Sequence, residues 1–405
     1  EWMQTKLAGF WISPVLGILS LNIFFAGAGN ASTFPFRAII GVEALELSNM
    51  TYAAVMAINA FAGAATGVAL GWLSDQINDR RWLVILCAIV GAVGFWLVWA
   101  WQSPFAFIAA YCLLLPFSNA LFSQTFAYSR AYLDQETPDR AELILSFLRT
   151  IFTVAWVVFP PVAGWLAVQT SSFSVFAFAS GTHIAFTLLF GLLWTQPSAR
   201  IGQASKKVEA TDADTLPKAY ISNPYKIGIL GIILGSVALQ LNITALPLVI
   251  MQDLGGTLEQ VGINASVAAA VEVPCMIAWG YLALRLSKET ILAASSAIFA
   301  LYLGLMSIAE TVLQVLFLQG IAALAIAALL SINISYLQEA IKGRLGLSTS
   351  LVDVSRVLST LGASVVFALH QDEYYASLME VAAIIALGGT CLMLLARRLA
   401  GEDKR

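Results

Sequence analysis

Among the ionisable residues inside long apolar stretches of the sequence, where charge is rare, three could do proton chemistry: Glu272, Asp353 and Arg356. Glu272 lies about midway along its stretch, and an ionised carboxylate in an apolar medium is unstable unless it is paired or faces water. Such a group can bind a proton and release it when its surroundings change. Glu272 is therefore a candidate proton carrier, and the alternative is a structural carboxylate that braces helix packing.

Asp353 and Arg356 could share this proton chemistry with Glu272. Residues three apart share one face of a helix, so the two charges can also neutralise each other. An internal ion pair or a gate is the simpler interpretation of the two.

A second group of residues could hold a neutral polyhydroxylated ligand, because amides and hydroxyls hydrogen-bond such a molecule and aromatic rings offer it flat faces. The candidates near the middle of apolar stretches are Asn22, Asn119, Gln124, Tyr128, Trp156, Gln240, Asn242 and Gln319. For any single amide, a hydrogen bond between helices explains the position equally well. The set is almost uncharged, which favours a neutral ligand over a phosphate or carboxylate.

A charged turn between the second and third apolar stretches could act as a gate. It contains Gly71, Asp75, Asp79, Arg80 and Arg81. Glycine lets two helices approach closely, an aspartate can face the positive N-terminal end of a helix, and the arginines can close a salt-bridge cluster. Such a cluster would stabilise the state closed to the cytoplasm. Membrane topology alone is the alternative reason for basic residues here.

Arg130 and Arg149 could belong to the same gate. Both lie near Asp134, Asp139 and Glu142, which are carboxylates around the loop after the fourth stretch. Arg130 could instead extend to the membrane interface.

The elements that must position these residues are membrane-spanning helices. The chain has 405 residues, of which 59% are hydrophobic and 11% charged, with a mean hydropathy of +0.82. A soluble domain of this length needs more charge to cover its surface. A span needs about 20 apolar residues, and twelve such runs are present: about 9–29, 50–73, 82–101, 104–129, 143–168, 173–194, 226–250, 260–284, 289–308, 311–336, 347–369 and 375–397.

The runs divide into two halves. The predicted domains are an N-terminal six-helix bundle (1–194), a polar cytoplasmic linker (195–224) and a C-terminal six-helix bundle (225–405). The segment from Gly280 to Lys288, at the end of the eighth run, weakly repeats the Gly71 turn, as in duplicated transporters. With the N-terminus inside, Arg37 is the only one of the 21 Lys and Arg residues expected outside. Both termini are therefore expected in the cytoplasm.

The turn at Gly71-x-Leu-x-Asp75-x-x-x-Asp79-Arg80-Arg81 resembles a signature of the major facilitator superfamily. Other stretches resemble the bacterial sugar efflux transporters within it: Phe126–Asp134, Arg149 with Ala155–Pro161, Glu272–Pro274 leading to Gly280, and Tyr336–Glu339 leading to Gly343-Arg344. The resemblance covers essentially the whole chain. It departs from many drug antiporters, which carry a mid-helix arginine in the fourth span, where this sequence has Asn119.

The resemblance implies an all-α membrane protein with twelve transmembrane helices in two six-helix bundles, moving around a midplane site. The expected function is export of a sugar or similar small neutral solute by proton antiport. Efflux of drugs or other metabolites is the alternative, and a non-transporting membrane sensor on the same fold is the alternative from another class. We expect a monomer in the bacterial inner membrane with small-molecule substrate, protons and lipid as partners.

Other classes of function receive no support from the sequence. No cluster of Asp, His or Ser suggests an enzyme, and no cofactor is implied. The net charge of −3 does not favour a nucleic-acid partner. The four cysteines are scattered through apolar runs, so neither a disulfide framework nor a metal site is expected.

Overall fold

The computed structural model describes residues 13–74, 76–77, 79–201, 221–340, 345–371 and 374–402, with backbone alone at 345–349 and 401–402. Within these ranges twelve helices are long and apolar enough to cross a membrane. In chain order they are α1 (Pro14–Ala44), α2 (Asn49–Ser74), α3 (Arg81–Trp101), α4 (Pro104–Glu136), α5 (Pro138–Gln169), α6 (Ser174–Thr195), α7 (Asn223–Asp253), α8 (Leu258–Leu282), α9 (Lys288–Ser307), α10 (Val312–Glu339), α11 (Ser350–Ala368) and α12 (Ala376–Ala400). Asp75 and most of the predicted linker lie outside the described residues.

Polar caps mark the ends of several helices. Thr257 and Thr311 each accept a hydrogen bond from the backbone three residues on, and the glutamine there bonds back to the threonine N–H. These capping boxes satisfy backbone groups that a helix start leaves open. Ser103 and Ser287 cap α4 and α9 with one such bond each.

α1 is longer than the predicted run at 9–29, because it continues through irregular turns. A regular helix over Pro14–Thr33 is followed by a tight turn at Phe34–Phe36 and a wide π-helical turn at Ile40–Ala44. α7 likewise ends in a π-helical turn, at Val249–Asp253. We call the end of the molecule that carries these two turns the outer end, following the predicted orientation.

The two turns that follow α1 and α7 have the same geometry. Leu45 N–H donates to Ile40 (2.9 Å), and Leu254 N–H donates to Val249 (3.0 Å). Glu46 and Gly255, one residue further in each turn, both have positive φ (52° and 62°). Ser48 and Thr257 then precede the next helix, and they are separated by the same number of residues as Gly71 and Gly280. The internal repeat expected from the sequence is therefore present in backbone geometry.

The chain forms two compact units. Unit 1 contains residues 1–34 and 61–210, and unit 2 contains residues 35–60 and 211–405. The outer ends of α1 and α2 therefore belong to unit 2. The bundle boundaries at 194 and 225 stay a prediction, because these units are defined by contacts and not by chain order.

In unit 1, α1 packs against α5 and α6, and α3 packs against α4 and α6. His183 of α6 lies in its core, 1% exposed. Its Nδ1 donates to the Ala179 carbonyl, and its Nε2 accepts from the Ser118 hydroxyl, both at 2.9 Å. A Cβ at Gly91 would lie 2.8 Å from the imidazole, so only glycine leaves room for the ring. His183 is a satisfied structural residue.

In unit 2, α7 packs on α11 and α12, α9 packs on α10 and α12, and α8 packs on α10. The backbones of α7 and α12 approach closely, since a Cβ at Gly389 would lie 2.9 Å from the Gly231 carbonyl. α8 is fixed to α10 where the Trp279 indole donates to the Leu324 carbonyl at 2.7 Å. These contacts set the position of Glu272 on α8.

Candidate functional site

Glu272 lies at mid-length of α8 and is half-buried. Within the described part of the chain, no hydrogen bond or ion pair holds its carboxylate. Its counterpart in the first half, by the separation that relates Ser48 to Thr257, is Gly63. An acid at this position therefore occurs in the second half alone. No described contact of the Glu272 carboxylate supports a role in holding helices together.

Pro274 changes the backbone beside this acid. A proline inside a helix has no N–H to donate, so the carbonyl four residues earlier, at Ala270, loses its helical partner. Near the middle of α8, the carboxylate can therefore take up a proton, and both the carboxylate and this carbonyl can accept hydrogen bonds.

A row of five aromatic rings crosses unit 1. Phe126 and Phe122 on α4 have ring centroids 4.5 Å apart, and Phe122 meets Phe152 on α5 at 4.4 Å. Phe152 is followed by Trp156 at 6.5 Å, and Trp156 meets Phe34 of α1 at 5.3 Å. We call these five residues the aromatic row. All five side chains are half-buried, so the row presents ring surface that the unit itself does not cover.

Two polar candidates share the faces of this row. Asn119 precedes Phe122 by one helical turn on α4, and Arg149 precedes Phe152 by one turn on α5. Both side chains are exposed. The Asn119 amide lies beside α2, 3.6 Å from where a Cβ of Gly63 would be. An amide and a guanidinium therefore flank the aromatic surface, and both can bond hydroxyl groups.

Gln124 and Tyr128 lie on the opposite, buried face of α4. Gln124 is 9% exposed and Tyr128 1% exposed. The Tyr128 hydroxyl donates to the Ala199 carbonyl at 2.5 Å, and its ring packs on Phe190. Tyr128 thus fastens the chain after α6 and does not face the aromatic row, so we leave it out of the proposed site.

Asn22 is fully buried in unit 1, and its amide atoms have no hydrogen-bond partner among the described residues. A buried amide of this kind needs a partner such as an ordered water. Because Asn22 is 0% exposed, a solute cannot reach its amide in this conformation.

Asn242 and Gln319 are joined in the core of unit 2. The Tyr302 hydroxyl donates to Asn242 Oδ1 and accepts from Gln319 Nε2, both at 3.2 Å. Asn242 is 4% exposed, Gln319 2% and Tyr302 0%. This chain of bonds links α7, α9 and α10, as expected of amides that hold helices together. Gln240 is half-buried and bonds Thr360 of α11 at 3.4 Å.

Asp353 and Arg356 are both exposed on α11. No ion pair joins them within the described residues, although the sequence spacing allowed one. They lie in unit 2, as Glu272 does.

The charged turn after α2 binds the end of α6 and the chain that follows it. The Arg81 guanidinium bonds both oxygens of Asp79 (2.9 and 2.7 Å) and donates to the Leu193 carbonyl at 2.8 Å. It also lies 4.8 Å from the ring centre of Trp194. Arg80 N–H donates to the Ile201 carbonyl at 3.3 Å. We call the contacts of Asp79 and Arg81 with residues 193–194 the strap.

The strap affects the acidity of Asp79. Burial alone would raise its pKa, but hydrogen bonds from Arg81 and the charges of Arg81 and Arg200 hold the pKa below its ordinary value of 3.8. Residues 195–201, predicted as the start of the linker, are held on unit 1, since Ala199 and Ile201 are buried.

Arg130 pairs with Asp134 at 2.9 Å and with Glu142. This group is exposed and joins the end of α4 to the start of α5. On α9 and α10 of unit 2, Lys288 pairs with Glu339 at 2.7 Å. The sequence placed Lys288 in a cytoplasmic loop but did not predict its pairing with Glu339.

Sequence reasoning also missed Phe122 and Phe152. Their spacing from Phe126 and Trp156, four residues in each helix, was a signal for two aromatic faces. Nothing in the sequence showed that the two faces touch.

A groove between α3 and α6 is a different kind of surface. Its lining is apolar and includes Trp96, Ile184 and Leu188, all exposed. Such a surface suits lipid chains better than a polyhydroxylated solute. No group of three or more metal-binding side chains occurs in the described ranges.

Comparisons with known proteins agree with one another. The model of the Major Facilitator Superfamily matches residues 19–359. A protein of Deinococcus radiodurans is 24% identical over 388 residues, which is 94% of this chain and 97% of that protein. Sugar efflux transporter C of Escherichia coli is 26% identical, covering 85% of this chain and 86% of the relative. Sugar efflux transporter A of the same organism is 27% identical, covering 73% of each.

Solved structures share the fold at low sequence identity. The nucleoside transporter NupG, in its D323A mutant, superposes with a TM-score of 0.79 at 12% identity, over 94% of this chain and 98% of that one. A peptide transporter POT (E310Q mutant) in complex with alafosfalin gives a TM-score of 0.77 at 14% identity, over 94% of each chain.

Proposed function

The chain belongs to the Major Facilitator Superfamily, and from this premise we propose that it exports a sugar or similar small neutral hydrophilic solute by proton antiport. It is an integral membrane transporter with a small-molecule substrate, and not an enzyme. Alternating access would then carry the solute across the membrane against the return of protons.

The aromatic row is the main structural support for a sugar as the solute. Its half-buried rings offer flat apolar surface, and Asn119 and Arg149 supply hydrogen-bond donors beside it. A sugar ring has an apolar face and a rim of hydroxyls, which this combination suits. The names of the Escherichia coli relatives support the same solute class.

We assign proton coupling to Glu272. The carboxylate is half-buried at mid-span, and no partner among the described residues neutralises it. A carboxylate in this position can carry a proton, because its charged form is stable when water reaches it and unstable when water is excluded. Asp353 and Arg356 stay secondary candidates.

Proteoliposomes test both assignments. With a pH gradient, acid inside, the wild type should accumulate the transported sugar, whereas Glu272→Gln should accumulate no more than protein-free vesicles. Exchange of labelled for unlabelled sugar without a gradient should survive in this variant, because exchange needs no net proton movement.

Glu259→Gln is the matched control, since Glu259 lies on the same helix but is exposed at its first turn. Gradient-driven accumulation by Glu272→Gln at the wild-type level would remove Glu272 from the mechanism. Movement of hydrophobic cations with no movement of sugars would favour drug efflux, which the apolar rings could also serve. Absence of any transport would favour the sensor.

The setting of the protein is also part of the proposal. We propose a monomer in the bacterial inner membrane with both termini in the cytoplasm. The distribution of basic residues supports this orientation, with Arg37 alone at the outer end.

A further inference from the structure

The outer ends of α1 and α2 are held by unit 2. Residues 35–60 belong to that unit, although the remaining parts of both helices belong to unit 1. Any movement of unit 1 relative to unit 2 must therefore bend α1 and α2 near residues 34 and 60, or break the contacts of residues 35–60. The strength of those contacts then influences the movement.

Asn49, the first residue of α2, makes two of these contacts with one amide group. Its Nδ2 donates to the His370 carbonyl at 3.3 Å, and its Oδ1 accepts from the Tyr375 hydroxyl at 3.1 Å. His370 and Tyr375 lie in the turn between α11 and α12. The amide nitrogen and the amide oxygen of Asn49 thus both bond to a turn that lies far away in the sequence.

Aromatic packing excludes water beside these bonds. The Tyr52 ring meets Phe367 edge-on at 5.7 Å, and Phe367 stacks on Tyr375 at 6.0 Å. Tyr52 is 1% exposed, Phe367 2% and Tyr375 7%. Hydrogen bonds next to a dry aromatic contact are less easily replaced by water.

Asp253 fixes the position of Tyr375. Its carboxylate accepts from the backbone N–H of Tyr375 at 3.2 Å and of Ala376 at 2.7 Å. These are the open donors at the start of α12, where a negative charge is favourable. In the same π-helical turn as Asp253, the Gln252 side chain hydrogen-bonds Glu43 at the end of α1. Equivalent positions of the two repeated turns therefore meet here.

The repeat also shows that the Asn49 contact exists in one half only. By the separation of Ser48 and Thr257, the counterpart of Asn49 is Leu258, which has no polar side-chain atom. The fold of the turn therefore does not require an amide at this position, and the two bonds call for another explanation.

We propose that Asn49, the His370 carbonyl and Tyr375 form an outer latch that holds residues 35–60 on unit 2 and must open during each transport cycle. The latch consists of neutral hydrogen bonds, which are strong enough to bias an equilibrium and weak enough to break repeatedly. It does not depend on which solute is carried.

Electron–electron distance measurements on the full chain in nanodiscs test the latch. Spin labels at positions 50 and 374, where Met50 and Tyr374 are exposed, report the separation of α2 from the α11–α12 turn. The four native cysteines are first replaced by serine or alanine. This background should show one short distance. Asn49→Ala and Tyr375→Phe should each add a longer distance, with the ratio of open to closed rising roughly 3- to 30-fold.

Ser48→Ala is the matched control. Among the described residues, the Ser48 side chain bonds only to Thr51 in its own turn, so its loss should leave the distances unchanged. Unchanged distances in Tyr375→Phe, which removes one oxygen and is the variant safest to fold, would overturn the proposal. An effect of Ser48→Ala equal to that of Asn49→Ala would also overturn it. In the double variant the two effects should be less than additive, because each substitution breaks the same bond.

Discussion

Asn119 and Gln124 lie five residues apart on α4, yet they face different surroundings. Asn119 is exposed on the face that carries Phe122, whereas Gln124 is buried on the face that carries Tyr128. Under the proposed function, the face of the helix, and not the depth in the membrane, determines which of these two amides can reach a solute. Asn242, in contrast to the exposed Asn119, is 4% exposed and bonded to Tyr302 inside its unit.

Trp156 gives the sharpest residue-scale prediction. Trp156→Ala should weaken sugar binding about tenfold, because a ring that stacks on the solute is worth about 1 kcal/mol or more. Trp165→Ala is the control, since Trp165 is the same residue type on the same helix and is exposed. Binding is measured by calorimetry on purified protein.

The ratio of the sugar affinities of these two variants distinguishes binding from packing. Equal affinities in Trp156→Ala and Trp165→Ala would show that the aromatic row is only packing, and the site would then lie elsewhere. A loss in both variants would indicate a general effect on helix α5.

At the scale of elements, the strap connects the turn after α2 to the end of α6. Asp79→Asn should lower the free energy of unfolding by about 2–4 kcal/mol, because it leaves the Arg81 guanidinium, 5% exposed, without its carboxylate. Asp134→Asn breaks an exposed ion pair, which solvent screens, so it should lower the free energy of unfolding much less than Asp79→Asn. Thermal unfolding of the purified variants measures both.

The strap should also depend on pH. The pKa of Asp79 is lower in the folded protein than its ordinary value of 3.8, so the stabilisation is complete above that value and is lost as the pH falls through the folded pKa. The difference between wild type and Asp79→Asn should therefore be present at neutral pH and disappear in strong acid. A difference that stays constant down to pH 2 would mean that the ion pair contributes nothing to it.

The sequence predicted the elements better than their contacts. Hydropathy located all twelve spans in the described ranges, because each must present about 20 apolar residues to lipid. The continuation of α1 to Ala44 was not predicted, since Arg37 and Glu43 interrupt the apolar pattern there.

The aromatic row shows the same limit for the site. Trp156 was predicted as a ligand contact, but its neighbours Phe122 and Phe152 lie on separate helices, and the 4.4 Å contact between them is a tertiary feature. The proposed gate was harder still, because hydrogen bonds from Arg81 to the Leu193 carbonyl leave no pattern in side-chain types.

For the whole molecule, the orientation in the membrane decides which ends of the helices face the cytoplasm. In a cysteine-free background, Phe105→Cys at the start of α4 should react with a membrane-impermeant maleimide added to intact cells. Leu284→Cys, after α8, should react only when the membrane is opened. Both native side chains are highly exposed, 78% and 80%, so access to each site depends on the side of the membrane. The reverse labelling pattern would place both termini outside.

Glu272 and Gly63, its counterpart in the first half, have a consequence for how such a protein can diversify. A chain assembled from two copies of the first half would keep the spans and turns, but it would hold glycine at both places. Under the proposed function, such a protein could bind the solute but could not couple its transport to protons. Under the same proposal, the two halves share a backbone repeat but divide the work: the stacking surface lies in the first half and the titratable group in the second. Substitutions in the first half would then change the solute specificity, while proton coupling through the second half stayed the same.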